Sequence, residues 1–477
     1  MNFGFYSINF SFEAISVFFA QGTWEIIAGL FVIFGWVIII GLLLTAGVRF
    51  YKDYRENKYT ANWKWVLLAI DIPALNIQTP KAVEQMFAHL AGAFDQPDIA
   101  AAFRGGYKQR WFSLEIISIE GYIQFLIRTE EKFRDLVETA VYAQYPEAEV
   151  IEVEDYVSVA PDKFPDDAYD IWASDFGLAE NDAYPIRFYG EFEHNISKDT
   201  VLKDPMGTFL ESFSRIGPGE QMWFQIIIEP TSNAWKEKAI EKIREMMGDD
   251  SSSKSFFSSF KFEELGRGWD EVSAQLLGSP RVEGEDSPTK EKAKKNMLDI
   301  TPGQSKLIAG MEEKISKIGF KTKMRGVYIA RKEVFRPERG INALIGAINQ
   351  FNVPSSNSIV PNFGIKASYF LKEKRIIHRK NLLMRAYKKR KIKIGSNPFI
   401  LNTEELATVW HFPMSHVKTP LLQKSQSKAS EPPSGLPVEF IADVFEPEIP
   451  TLKEKKKTPG YTTDAGYMSG DEEVKFG

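Results

Sequence analysis

Acidic side chains cluster in one part of the sequence, where their oxygens could hold a divalent cation for hydrolysis. The cluster comprises Glu152, Glu154, Asp155, Asp162, Asp166, Asp167 and Asp170. Its spacing is not that of an EF-hand loop, which places oxygen ligands at fixed positions. A solvated acidic edge and loop explains the same residues, so we predict no metal site. A divalent-metal hydrolase remains the weakest functional alternative.

Other residue types that perform catalysis are absent or unsuitably spaced. The sequence contains no Cys, which excludes thiol nucleophiles and Cys-ligated zinc or iron–sulfur sites. His89, His194, His378, His411 and His416 form no H-E-x-x-H motif, and there is no G-x-S-x-G or G-x-G-x-x-G motif. No Gly is followed by Lys, so the phosphate-binding loop of a P-loop motor cannot form. We predict a protein that is not an enzyme and binds no cofactor.

Basic side chains are concentrated in one segment, although the whole chain has a formal charge of -5. Residues 372–393 contain 11 Lys or Arg and one acidic residue, whereas residues 147–193 contain 14 acidic residues and two basic ones. Read as a helix, the basic segment has a narrow apolar stripe surrounded by cations. The candidate contact residues are Lys374, Arg375, Arg379, Lys380, Arg385, Lys388, Lys389 and Arg390.

Three uses of this basic segment remain open. It could contact DNA phosphates, which would make binding strongly salt-dependent through counterion release. It could rest on anionic lipid headgroups, since each basic residue near the surface adds about 1 kcal/mol. It could also be a solvated face that the acidic segment neutralises in the fold.

An uncharged apolar run near the N-terminus predicts a membrane anchor. Residues 26–48 carry no charge and would reach about 35 Å as a helix, enough to cross a bilayer. We predict a membrane-spanning helix over 24–48 after an outside segment 1–23, and a basic linker over 49–62. The positive-inside rule places the N-terminus outside and the bulk of the chain in the cytoplasm. The predicted anchor residues are Trp24, Trp36, Arg49, Lys52 and Arg55.

The elements after the anchor predict an α+β fold. Alternating apolar residues and helical periodicities follow the order β-α-β-β-α-β over 63–156, which is the ferredoxin-like arrangement. A second, looser α/β domain is predicted over 183–370, beginning with a strand at 186–193 and interrupted by a flexible insertion at 249–300. We further predict a basic helix at 371–394, a connector helix at 395–422 and a disordered tail at 423–477.

Three stretches of sequence resemble a known family. LLAIDIPALNIQTPKAVEQMFAHLAGAF, SLEIISIEGYIQFLIRT and YAQYPEAEVIEVEDY follow the apolar run. Together they look like the membrane-anchored region ahead of the motor in bacterial coupling ATPases of type IV secretion and conjugation. The later stretch ILNTEELATVWHFP is similar to the segment that leads into the nucleotide-binding domain of those proteins.

The resemblance implies a subunit of the bacterial inner membrane that works with a motor. Since this sequence has no P-loop and ends about 40 residues after the point where a motor would begin, we expect a separate coupling ATPase as partner. The lipid bilayer is the other expected partner, and DNA or a second copy of the chain remain open. The main functional alternative is a membrane-tethered module that binds DNA or anionic lipid through residues 372–393.

Overall fold

A computed structural model describes residues 2–3, 6–7, 22–73, 76–98, 100–194, 201–202, 204–247, 301–368 and 371–415. The predicted flexible insertion and tail, and most of segment 1–23, lie outside these residues. The chain divides into two compact units. We call Met1–Lys64 with Asp95–Gln109 the anchor unit, and Trp65–Phe94 with Arg110–Gly477 the sheet unit.

The anchor unit is built on one long helix, α1, at Thr23–Thr60. Among the described residues, one helix is long and apolar enough to cross a membrane by length and composition, with the candidate span at Gly35–Thr60. Large apolar side chains along α1 are exposed, Leu42, Leu43 and Leu44 among them. Residues 49–60 of the predicted basic linker continue the helix to Thr60, because they contain no Gly or Pro. Two short strands, Asn2–Phe3 and Tyr6–Ser7, pair with each other.

The sheet unit contains alternating helices and strands. The strands are β1 Trp65–Asp71, β2 Phe112–Ile119, β3 Tyr122–Glu130, β4 Glu149–Val153, β5 Tyr169–Leu178, β6 Glu220–Pro230, β7 Gly319–Arg331, β8 Ile359–Gly364 and β9 Phe399–Asn402. The helices are α2 Pro80–Leu90, α3 Arg134–Gln144, α4 Pro205–Ser214, α5 Ala234–Met246, α6 Pro302–Ser316, α7 Pro337–Asn349, α8 Lys372–Lys388 and α9 Thr403–Val409. A two-residue pair, Glu193–His194 with Val201–Leu202, stands apart from the main sheet.

In the part of the chain that the structure describes, these nine strands form one antiparallel sheet in the order β8-β5-β7-β6-β2-β3-β1-β4, with β9 added to β7. The order of elements β-α-β-β-α-β runs from β1 to β4, and it recurs from β5 to β8 with helices α5 and α6 inserted between β6 and β7. In both halves the first strand lies between the third and the fourth. The halves join at β2 and β6, where Glu115 lies directly opposite Gln225. The two predicted domains therefore share one continuous sheet.

Each face of the sheet has its own apolar core, because successive side chains of a strand point to opposite faces. On one face, Leu114 and Ile116 of β2 belong to a core that includes residues of α2, α3, α4, α7 and α9. On the other face, Ile117 of β2 packs in a core with residues of α8 and of the 3₁₀ turn Tyr156–Val159. A small third core joins α5 to α6.

Local signals in the sequence located most of these elements. The turn at Glu120 and Gly121 has positive φ at both residues, as a tight hairpin requires. The capping box predicted at Thr301 and Gln304 is present at the start of α6. The cap predicted at Asp204 accepts a hydrogen bond from the Met206 N–H at 2.7 Å.

Three predicted elements differ from the structure in type or in length. The strand predicted at 186–193 is absent, and Tyr189–Phe192 is a 3₁₀ helix. The second half of the sheet begins instead at β5. The buried Asp175 interrupts the apolar pattern of this strand, so the sequence did not predict it. The connector predicted as a helix at 395–422 begins with strand β9 before the short helix α9. The basic helix predicted at 371–394 ends at Lys388, because Arg390 takes a left-handed backbone conformation.

Candidate functional site

The basic helix α8 lies on the sheet face opposite the five packed helices. Its apolar stripe, Leu383, Met384 and Tyr387, is buried against the sheet. Trp223 of β6 contacts Tyr387 with ring centroids 5.4 Å apart. The hydrophobic contact seats α8 near the seam between the two halves of the sheet.

Arg390, two residues beyond the end of α8, lies in a buried ion cluster. The guanidinium donates two hydrogen bonds of 3.0 Å to the carboxylate of Glu115, from Nε and Nη2. It also donates to both carboxylate oxygens of Asp155, which follows β4. Arg390 and Glu115 have side chains at most 1% exposed. A two-pronged contact of this kind uses the planar shape of guanidinium, which Lys does not have.

Neutral donors complete the hydrogen bonding of Glu115. Tyr156 Oη donates to it at 2.8 Å and Gln225 Nε2 at 2.9 Å, while the Ser113 hydroxyl donates from the same strand. Burial opposes ionisation of Glu115, but the attraction of Arg390 and these hydrogen bonds outweigh it and lower the pKa of Glu115. Tyr156 and Tyr387 share a hydrogen bond of 2.8 Å, and burial raises the pKa of both phenols. The cluster therefore holds an ionised carboxylate under α8.

A second buried ion cluster holds the loop that follows α8. Asp175 of β5 accepts a hydrogen bond from Arg325 Nε at 2.9 Å and pairs with Lys323 Nζ at 2.7 Å, both from β7. Asp175 also accepts from the backbone N–H of Ser396 at 3.0 Å. The Arg325 guanidinium donates to the carbonyls of Ala386 at 3.2 Å and of Ile394 at 2.7 Å. Arg325 thus satisfies carbonyls at the C-terminal end of α8 and in the loop beyond it.

Three more of the predicted contact residues are engaged within the sheet unit. Lys380 pairs with Asp170. Lys388 pairs with Asp162 at 2.5 Å and donates to the Ala160 carbonyl at 2.6 Å. Arg379 lies 5.3 Å from the ring centroid of Phe363 and donates to nearby carbonyls. The contacts of Lys380 and Lys388, with the one from Arg390 to Asp155, bind the basic segment to the acidic one.

The outward face of α8 carries the remaining predicted residues. Lys374, Arg375, Arg385 and Lys389 are exposed. Arg375 donates to the carbonyl of Ser368 at 2.9 Å. Exposed cations on one helix can meet the phosphates of a polyanion, and this is the chemistry that the surface offers.

The acidic residues considered for a metal site are dispersed among other contacts. Glu152 pairs with Arg134 at 2.8 Å, and Asp166 accepts hydrogen bonds from the backbone N–H groups of Ala168 and Tyr169. Within the described residues there is no group of three or more His, Asp or Glu side chains that could hold a metal ion. His411 is buried and contacts Asp204 at 2.9 Å, and His416 lies outside the described residues.

The predicted anchor residues lie in the anchor unit. Trp24 and Trp36 are exposed on α1, as are Arg49 and Lys52. Arg55 instead donates a hydrogen bond to the carbonyl of Arg104, in the segment Asp95–Gln109 of the same unit.

Sequence reasoning did not single out the charged residues of the strands. Glu115, Asp175, Lys323 and Arg325 are at most 1% exposed. Their signal in the sequence was a charged residue within an otherwise apolar strand. Buried charges are seldom found without partners, so each of them predicts a counter-charge nearby in the fold.

Two comparisons with known proteins bear on this chain. A family model described as a domain of unknown function, DUF8128, matches residues 108–425. This range includes α8 and both buried ion clusters. The chain matches no curated protein.

Proposed function

The chain belongs to the DUF8128 family, and from that premise we propose a role that its own architecture supports. It acts as a non-enzymatic, membrane-anchored subunit of a type IV secretion or conjugative DNA-transfer complex. Its sheet unit docks a coupling ATPase that is a separate polypeptide. Helix α1 fixes it in the bacterial inner membrane as a single span, with the N-terminus outside and the bulk of the chain in the cytoplasm, because the basic flank follows the apolar run.

One observation carries the proposal: the segment similar to the lead into a motor domain is part of the sheet unit's core. β9 pairs with β7 from Gly319 to Thr322. Trp410, just after α9, is fully buried and contacts the rings of Phe87 and Phe125. In the described residues, this segment therefore packs into the sheet unit itself. Such packing supports a module that works with a motor supplied by another chain.

The proposal extends to the fold of each half of the sheet. We propose that each half of the sheet is a ferredoxin-like unit, since both have the strand order of that arrangement and the second half departs from its element order only by the inserted helices α5 and α6. One sheet face is covered by helices and the other by α8 and its loop. The outer edge strands β4 and β8 therefore offer docking surfaces for a partner strand.

The test is co-purification of the full chain with a P-loop ATPase encoded by a neighbouring gene, after co-expression and extraction in detergent. We propose that the tail, residues 423–477, tethers the ATPase to the sheet unit, and we therefore expect a stable complex that is lost when these residues are deleted. Neutralising Lys374, Arg385 and Lys389 is the control and should leave the complex intact. ATP hydrolysis by the purified chain alone, or the absence of a complex, would contradict the proposal.

A second candidate function rests on the exposed cations of α8, which fit a DNA backbone. The triple change Lys374→Gln, Arg385→Gln and Lys389→Gln should weaken DNA binding by the full chain. It should also reduce the salt slope of log K by about 0.9 for each phosphate that the variant no longer neutralises. A control with the same loss of charge neutralises Arg244, Lys306 and Lys332, which are exposed on other elements. Equal loss of affinity in both variants would reject a site on α8.

A further inference from the structure

The segment Asp95–Gln109 is packed against the last turns of α1 within the anchor unit. The ring of Phe103 lies 5.6 Å from that of Tyr51, and the ring of Tyr107 lies 5.8 Å from that of Tyr59. Gly106 approaches so closely that a Cβ there would meet the backbone of Arg55 at 2.4 Å, and its φ is +71°. We call this segment the clasp.

The contacts set the clasp's position along α1. The helix rises about 1.5 Å per residue, so Tyr51 lies about 4.5 Å beyond Val48, the last residue of the apolar run. The headgroup layer of a bilayer is about 5–8 Å thick on each side. With the proposed span over the apolar run 26–48, the level of Tyr51 and Phe103 falls in that layer. The level of Tyr59 and Tyr107 lies about 12 Å further along the helix.

The side chains of the clasp change from aromatic and basic to acidic along the direction of α1. Phe103 is 43% exposed, and an aromatic ring at this level is typical of the membrane interface. Arg104 is exposed beside it, and Arg49 and Lys52 of α1 are exposed at neighbouring levels. The acidic end is at the far level, where the Asp95 carbonyl accepts a hydrogen bond from Tyr107 Oη.

We propose that the clasp is a second membrane-contacting element, which inserts Phe103 at the interface and binds anionic phospholipid headgroups through Arg104, Arg49 and Lys52. The inference rests on the proposed membrane span of α1. The inference adds to the proposed span a lipid-binding role for the clasp, which lies between α2 and β2 in the sequence. Three cations near an anionic surface can each contribute about 1 kcal/mol, enough to make the contact depend on lipid charge.

The absence of Cys from the chain makes site-specific labelling direct. The full chain is reconstituted into vesicles of phosphatidylcholine, with or without phosphatidylglycerol. A nitroxide is attached at Phe103→Cys, and its collisions with oxygen and with a water-soluble nickel complex are measured. Tyr142→Cys in the sheet unit is the matched control, since Tyr142 is 41% exposed. Leu43→Cys reports separately on whether α1 lies in the bilayer.

We expect the label at residue 103 to lose nickel accessibility and gain oxygen accessibility relative to the label at residue 142. The shift should be larger in anionic vesicles, and Arg104→Gln should reduce the part that depends on lipid charge. A water-exposed label at residue 103 beside a lipid-exposed label at residue 43 would overturn the clasp alone. Water exposure at residue 43 would overturn the membrane span as well. A shift independent of phosphatidylglycerol and of Arg104 would overturn the headgroup contact.

Discussion

Arg390 links elements that are distant in sequence. Its guanidinium joins Glu115 of β2 to Asp155 beyond β4, and its backbone φ of +47° ends α8. A buried ion pair contributes little over a well-packed apolar pair, but loss of one member leaves a charge buried without a partner. The complete cluster therefore adds little to the free energy of unfolding, whereas loss of one charged member should lower it strongly.

Replacing Arg390 by Met should destabilise the chain by about 3–5 kcal/mol, because Glu115 then loses its buried counter-charge. Denaturant unfolding of the full chain in detergent, followed by tryptophan fluorescence, measures the change. Lys389→Met is the control, because Lys389 is the adjacent exposed cation. Equal unfolding midpoints for the two variants would show that the cluster does not hold the fold.

The lowered pKa of Glu115 predicts a dependence of stability on pH. Because its folded pKa is below the ordinary value of 4.5, the unfolded chain takes up the proton first as the pH falls. The contribution is complete at neutral pH and is lost as the pH falls below that value towards the folded pKa. Unfolding midpoints between pH 7 and pH 3 should fall less steeply for Glu115→Gln than for the unchanged chain. Parallel pH profiles would contradict this assignment.

At the scale of elements, the loop after α8 is fixed by a glycine. Gly395 has φ of +89°, and a Cβ there would lie 1.8 Å from Oδ2 of Asp175. No side chain fits between this loop and the second ion cluster. The loop in turn delivers the N–H of Ser396 to Asp175 and leads directly into β9.

Gly395→Ala should lower the thermal midpoint, since backbone strain alone costs about 1–3 kcal/mol and the overlap with Asp175 adds to it. Gly346→Ala makes the same chemical change in α7, where a Cβ would meet nothing within 4 Å. There it should raise stability by about 0.5–1 kcal/mol through helix propensity. Thermal unfolding of both variants gives the comparison. A neutral Gly395 variant would show that the loop can move away.

The elements that the sequence revealed are those whose signal is local. The cap at Thr301 and the turn at Glu120 depend on a few neighbouring residues, and both were located correctly. Strand β5 was missed because Asp170 and Asp175 interrupt its apolar pattern, and their partners lie 150 or more residues away. The candidate contact residues on the basic segment were selected from charge density, but which of them face inward depends on tertiary pairing that no short window contains.

For the whole molecule, the main feature is the seam between β2 and β6. The pairing runs from Phe112 opposite Ile228 to Ile119 opposite Gln221. Each half therefore covers a strand edge that it would otherwise present to solvent. An uncovered edge of this length is a template for pairing with another chain.

A fragment of residues 63–156 should consequently self-associate through β2, whereas a fragment of residues 63–415 should remain monomeric. Analytical ultracentrifugation at equal concentrations distinguishes the two, with species of dimer size or larger expected only for the shorter fragment. Circular dichroism of both fragments shows whether each retains its sheet. A folded, monomeric short fragment would mean that the seam edge is protected in some other way.

The two halves also differ in how their central hairpins close. β2 and β3 are joined by Glu120 and Gly121, whereas β6 and β7 are joined by residues 231–318. Closing a long loop costs more chain entropy, and strand pairs that are distant in sequence form slowly. During synthesis the hairpin of β2 and β3 can therefore form before β7 has been translated. The exposed edge of β2 is then available to pair with β6 while β6 still lacks its other neighbour, β7.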